Sequence, residues 1–160
     1  MSIEYKNTCF FTGHRAIPLA DKENICAKLS EICINLITNY GVTDFVAGGA
    51  LGFDTLAAIE ILRLKSKYPH ISLHIYIPCK NQTAKWKPKD VDVYNYIKEN
   101  ADSVVYITDS DYLPGCMQMR NRAMVNDAFF GIAYCTNTTS GTYNTVKYAR
   151  EKGRNVFVID

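Results

Sequence analysis

The sequence predicts a three-layer α/β domain, helices on both faces of a mostly parallel sheet, and three observations lead there. Short apolar runs alternate with helix-length amphipathic stretches along the 160 residues, the order that builds strand–helix–strand crossovers. The runs are apolar throughout rather than alternating, as strands buried on both faces are. Polar, cationic and glycine residues gather just after the runs, where open α/β sheets hold their ligands. The arrangement is Rossmann-like, and a chain of this length fits a single domain over 1–160.

The elements follow in order. A first strand is expected over 8–12 and a helix over 21–40. Ile25, Leu29, Ile32, Leu36 and Ile37 make one stripe of that helix, a helical period. Asp21 stands where an N-cap belongs and Gly41 where a helix stops. A strand over 45–47 leads to a helix over 53–68, ended by Pro69. A third strand spans 72–77, closed by Pro78. A short helix is expected at 82–86 and another over 91–100. Then come a strand at 103–107, a helix over 115–127, a strand at 131–135, a helix over 141–152 and a last strand at 155–159.

Composition narrows the function. With 48% hydrophobic and 21% charged residues, a packed core is expected and disorder is not. A net charge of +2 is too small to imply nucleic-acid binding. No apolar run is long enough to span a bilayer, and the first residues hold no signal-peptide core, so a cytoplasmic protein is expected. The six cysteines form no C-x-x-C pair and the three histidines are scattered. No metal and no cofactor is therefore called for, and the thiols read as small apolar residues of a reducing compartment. Cys79 and Cys116 fall near the candidate site, but no histidine is placed to activate them.

The segments after the strands carry the chemistry. Gly48, Gly49, Ala50 and Gly52 join the second strand to a helix that begins with Asp54 in its first turn. Such a loop suits a phosphate, because the backbone can come close and the helix start offers free N–H groups. The same glycines also serve a strand-to-helix turn on geometry alone. After the first strand come Gly13, His14 and Arg15, the arginine a candidate clamp for phosphate or carboxylate. After the third come Cys79, Lys80 and Gln82, with Trp86 able to stack on a base or to pack in the core. Lys80, Lys85, Lys87 and Lys89 form a basic run that could touch nucleic acid or stay solvated. Met117, Arg120 and Asn121 follow the fourth strand. Arg120 and Arg122 stand two apart on a helix, so they point in different directions. Ser140, Gly141 and Thr142 open the last helix as a second phosphate cradle or an ordinary cap.

Together these segments resemble the SLOG superfamily of Rossmann-like proteins, and its YpsA-like branch most of all. The resemblance is carried by Phe11-Thr12-Gly13-His14-Arg15 and by Gly48-Gly49-Ala50-Leu51-Gly52-Phe53-Asp54. It continues in Ile77-Pro78-Cys79-Lys80-Asn81-Gln82 with Trp86, in Gly115-Cys116-Met117 with Arg120-Asn121-Arg122, and in Ser140-Gly141-Thr142. The superfamily includes DprA-like DNA-processing proteins and LOG-type phosphoribohydrolases. Membership implies a nucleotide-derived small-molecule partner, such as an ADP-ribose or NAD derivative, and a homodimer or higher homo-oligomer. The LOG enzymes carry a Gly-Gly-x-Gly-Thr-x-x-Glu segment whose glutamate takes part in N-glycosidic cleavage. Here the corresponding run is Thr138-Thr139-Ser140-Gly141-Thr142-Tyr143-Asn144-Thr145, with Thr145 where the glutamate would stand. A threonine cannot serve as a carboxylate base or stabilise an oxocarbenium-like centre. Arg120 has a counterpart in that family's active-site arginine. The resemblance therefore implies a non-catalytic binder that senses or sequesters its ligand. The alternatives are an N-glycosidase or phosphoribohydrolase acting on nucleoside monophosphates, and a DprA-like binder of single-stranded DNA.

Overall fold

Six strands lie in one sheet in the order β4-β3-β2-β1-β5-β6, and every neighbouring pair runs parallel. The computed structural model describes residues 3–160. The strands are β1 (Thr8–Gly13), β2 (Asp44–Ala47), β3 (Ser72–Ile77), β4 (Ser103–Tyr106), β5 (Phe130–Tyr134) and β6 (Asn155–Ile159). The helices between them are α1 (Lys22–Asn39), α2 (Phe53–Leu64), α3 (Pro88–Asn100), α4 (Cys116–Asn126) and α5 (Gly141–Glu151). Their contacts divide the helices into two layers, α1–α2–α3 on one side and α4–α5 on the other. The chain steps outward from β1 to β4, then crosses back so that β5 pairs with the other edge of β1. That reversal makes the β1/β5 boundary a topological switch point, where the flanking connections leave in opposite directions and open a crevice.

The core explains why the strands read as unbroken apolar runs. Phe10 and Phe11 on β1 are both fully buried, yet they belong to different clusters. Phe11 packs with Phe45, Phe53, Leu29 and Ile61 beneath α1 and α2. Phe10 packs with Val46, Met124 and Val125 beneath α4. Successive side chains thus feed opposite layers, and each such residue contributes about 1.5–3 kcal/mol through burial. The outermost strand β4 departs from the expected burial, since Val105 and Tyr106 are exposed.

The local differences from expectation have local causes. Residues 80–86 form turns rather than a helix at 82–86. Ala84 and Trp86 each donate three residues back, to Asn81 and Thr83, and the next helix begins only at Pro88, whose fixed φ suits a first helical position. Helix α2 ends at Leu64, and the chain reaches Tyr68 through turns. Asp21 occupies the N-cap of α1 without a side-chain capping bond, because a 3₁₀ turn over Leu19–Asp21 leads into the helix. Gly41 ends α1 as expected, at φ 70°.

Candidate functional site

A cleft of about 980 Å³ opens at the carboxyl ends of β1, β2 and β3, at the switch point. Every loop singled out from sequence reaches it. Its lining includes Gly13, His14 and Arg15 after β1, Ala50 and Asp54 after β2, and Cys79, Gln82 and Trp86 after β3. Met117, Arg120 and Asn121 come from α4, and Ser140, Gly141 and Thr142 from the start of α5.

Four of the residues expected at the site stand outside the lining. Lys80 reaches away to Asp109 at 2.9 Å, both side chains being largely exposed. Gly48, Gly49 and Gly52 form the frame behind the wall. Gly52, at φ 80°, lies so close to the backbone of Arg15 that a Cβ would collide with its carbonyl. Phe53 N–H donates to the His14 carbonyl at 3.1 Å. The first N–H of α2 therefore ties that helix to the β1 loop instead of facing a ligand. The glycines here bring two backbones together, which is the geometric alternative left open by the sequence.

Gly48 has a further task. A Cβ on it would lie 2.5 Å from Nη1 of Arg120 and 2.8 Å from a carboxylate oxygen of Asp54. The absence of a side chain lets a guanidinium and a carboxyl approach the same stretch of backbone. Both groups are about 5% exposed. Arg120 donates Nη1 to the Gly48 carbonyl and Nε to Asn121 Oδ1, the latter at 2.8 Å. Those two bonds fix the plane of the fork. Burial pushes the Asp54 carboxyl up to about 6, against the lowering pull of Arg120 and of the Ala50 and Gly48 N–H groups. Burial likewise lowers the pKa of Arg120, opposed by Asp54. At pH 7, about a unit above that value, Asp54 is mostly ionised, and it faces the Arg120 guanidinium across Gly48.

The start of α5 provides donors on another side. Ser140 Oγ accepts Tyr143 N–H at 3.1 Å, so the expected cap is made. Asn137 Oδ1 accepts the N–H groups of Thr139 and Ser140 at 3.3 and 3.2 Å and shapes the approach. The N–H groups of Gly141 and Thr142 are among the first of the helix, which have no acceptor within it. Thr145 donates its hydroxyl to the Gly141 carbonyl at 3.1 Å, is buried, and does not line the cleft. His14 Nε2 accepts Thr136 N–H at 3.0 Å, so its ring braces the β5 loop while still facing the cleft. Arg15 is exposed on the rim.

The two arginines of α4 separate as their spacing predicts. Arg120 turns into the cleft, while Arg122 lies over the Tyr148 ring at 5.2 Å. Burial and the neighbouring Cys116 raise the pKa of Cys79, which stays a neutral thiol rather than a nucleophilic thiolate. Tyr94 and Asp90 also shape the cleft region, and sequence reasoning passed over them; Tyr112, in the polar loop after β4, was given no role. Asp90 and Tyr112 line the cleft directly, and Tyr94 backs Trp86 edge to face, with centroids 5.4 Å apart. Tyr94 sits on a predicted helix with an ordinary amphipathic pattern, so no local signal marks it.

The parallel sheet with its switch point defines a Rossmann-like protein, and its cleft brings together arginine, carboxyl and helix-start groups. The sequence profile of the YspA SLOG family, YpsA, matches residues 9–159. The chain belongs to this family. It is 30% identical over 135 residues to the uncharacterised SPbeta prophage-derived protein YoqJ of Bacillus subtilis, covering 78% of this chain and 79% of that protein. A UPF0398 protein of Halalkalibacterium halodurans is 34% identical over 120 residues, covering 72% of this chain and 59% of its own. Among solved structures, DNA processing protein A of Streptococcus pneumoniae superposes with a TM-score of 0.72 at 20% identity. The match covers 96% of this chain but only 50% of that protein. The Helicobacter pylori protein, described through its single-stranded DNA binding mode, gives 0.69 at 19% identity, over 98% of this chain and 66% of its own. At such identities the likeness is one of fold. Among the described residues no helix is long and apolar enough to cross a membrane.

Proposed function

We propose that the cleft binds a nucleotide or a nucleotide-derived signal, of the ADP-ribose or NAD-derivative kind, and holds it without cleaving it. The observation that carries this reading is the buried Arg120 fork beside the buried Asp54, both lining a cleft of nucleotide size. A fixed guanidinium lining the cleft favours phosphate, and bidentate geometry strengthens such a contact. The Gly141 and Thr142 N–H groups add a second anion subsite at a helix start. Asp54 and Asn121 supply acceptors for ribose hydroxyls. The turned-away Thr145 supports binding over hydrolysis, because no carboxylate stands at that position.

Lys85 and Lys87 on the rim favour single-stranded nucleic acid as a second reading. It predicts affinity that falls steeply with salt, whereas a flat response removes it. The free thiols support a reducing, cytoplasmic setting. Exposed Tyr96, Val105, Tyr106, Leu113 and Met119 support self-association. Light scattering that reports a monomer contradicts that last point.

The test is mass spectrometry of the small molecules recovered after the pure protein is incubated with a pool of nucleotides and NAD-derived compounds. Intact ligand released on denaturation supports the binder. Free base with ribose phosphate shows a hydrolase instead.

A further inference from the structure

We propose that Gln82 and Trp86 form a base-reading end of the cleft, in which the Gln82 amide takes the amino edge of an adenine ring stacked on Trp86. The inference rests on the nucleotide reading above and names the base class that reading leaves open. Its starting point is an anomaly. Gln82 Oε1 is the one buried side-chain oxygen or nitrogen without a hydrogen-bond partner among the described residues. Buried polar atoms are nearly always paired, so an orphan of this kind needs an explanation.

The surroundings supply one. Gln82 and Trp86 both line the cleft. Behind them stand Gly49 and Tyr94. A Cβ on Gly49 would lie 3.4 Å from the Tyr94 ring and 3.6 Å from Gln82 Oε1. No donor pins the amide, and the terminal torsion of glutamine is broad, so the group is free to turn toward a ligand. Trp86 is half-buried and meets Tyr94 edge to face at 84°, a contact that leaves an indole face for stacking. A carboxamide pairs in bidentate fashion with the amino group and a ring nitrogen of adenine. On the N7 edge a 6-oxo purine presents two acceptors, so either orientation of the amide would set its oxygen against an acceptor.

The topology also sets the length of the ligand. The Gln82 loop follows β3 and the Ser140–Thr142 donors follow β5, with β2 and β1 between them. Three strand spacings make roughly 14 Å. A ligand with its base at Trp86 and an anionic group at the start of α5 is longer than a nucleoside monophosphate. A nucleoside diphosphate or its sugar derivative suits the span.

The experiment is calorimetric titration of ADP, IDP and inorganic pyrophosphate into the wild type and into Gln82→Leu. ADP and IDP differ at the purine 6-position and the neighbouring ring proton. The expected result is ADP binding roughly tenfold tighter than IDP or better, with the difference lost in Gln82→Leu. Apo Gln82→Leu should also melt no lower than wild type, since it loses an unpaired buried oxygen. Equal affinity for ADP and IDP, or a preference that survives in Gln82→Leu, overturns the base assignment. Pyrophosphate binding as tightly as ADP overturns it too while leaving the anion site standing. No binding of any of the three removes the nucleotide reading along with it.

Discussion

The two ends of the sheet are both polar, and they differ in whether their polar groups are satisfied. At the amino end, Thr43 donates its hydroxyl to Asp44 at 2.8 Å, and Asp44 meets His74 Nε2 at 2.7 Å. The other nitrogen of His74 contacts Ser103 Oγ at 2.6 Å. Beside this relay, Asp102 accepts from Lys65 at 2.6 Å and from the Leu73 N–H at 2.8 Å. Those bonds join β2, β3 and β4, and among the described residues they leave no buried side-chain nitrogen or oxygen there unpaired. At the carboxyl end stand a buried carboxyl whose pKa burial raises, a buried guanidinium whose pKa burial lowers, and an amide oxygen with no partner among the described residues. The Ser103–His74–Asp44 chain has the residue types of a hydrolytic triad, yet it does not line the cleft at the carboxyl end. Satisfied networks stabilise a fold, and unsatisfied ones await a partner.

Substitutions should respect that division. His74→Ala at the amino end leaves a cavity and strands Asp44 and Ser103, so unfolding free energy should fall by about 3 kcal/mol. Ligand affinity should hold within about twofold, because distant sites are additive. Denaturant melts and titrations of one preparation check both halves, and a large affinity loss breaks the comparison. Arg120→Met should act on both properties. Nucleotide affinity is expected to drop about 100-fold, close to 2.7 kcal/mol, and stability should fall as well, because the buried Asp54 loses its partner and the Gly48 carbonyl its donor. Titration of the folded variant decides it, and unchanged affinity refutes the assigned role.

Asp54 sharpens the contrast through pH. Its folded value of about 6 lies above the ordinary 3.8. Below pH 4 both folded and unfolded chains hold the proton. Between about pH 4 and 6 the unfolded chain releases it first, so stability falls across that window and stays lower above it. The loss is about 3 kcal/mol. Asp54→Asn should flatten this fall and be the more stable protein at pH 8. A wild-type curve with no slope there contradicts the environment assigned to Asp54. The smallest effect belongs to Ser140→Ala. Loss of the cap should cost about 1 kcal/mol and weaken nucleotide binding only a few-fold, as read by melting and titration.

Much of this was legible in the chain. Parallel strands buried on both faces need apolar runs, and helices on one face of such a sheet need a 3.6-residue stripe, so element order followed from pattern. The loops of the cleft were legible because ligand sites gather where strands end. What the sequence could not show was which residues face inward. Gly48 and Gly52 look like phosphate-loop glycines, but their role depends on Arg15, Arg120 and Asp54 arriving from elsewhere. Lys80 looks like a ligand residue until Asp109 appears beside it. Tyr94 and the orphaned oxygen of Gln82 emerge only when β2, α3 and the turns over 80–86 come together, because burial and pairing are tertiary properties.

Hydrogen exchange of the wild-type protein, with and without ADP and read by mass spectrometry, tests the division of the sheet most directly. The account predicts slowed exchange in residues 13–15, 117–121 and 139–143 and none at 43–44, 72–74 and 102–103. Unchanged exchange at the carboxyl end, or protection centred on the amino-end relay, would contradict it.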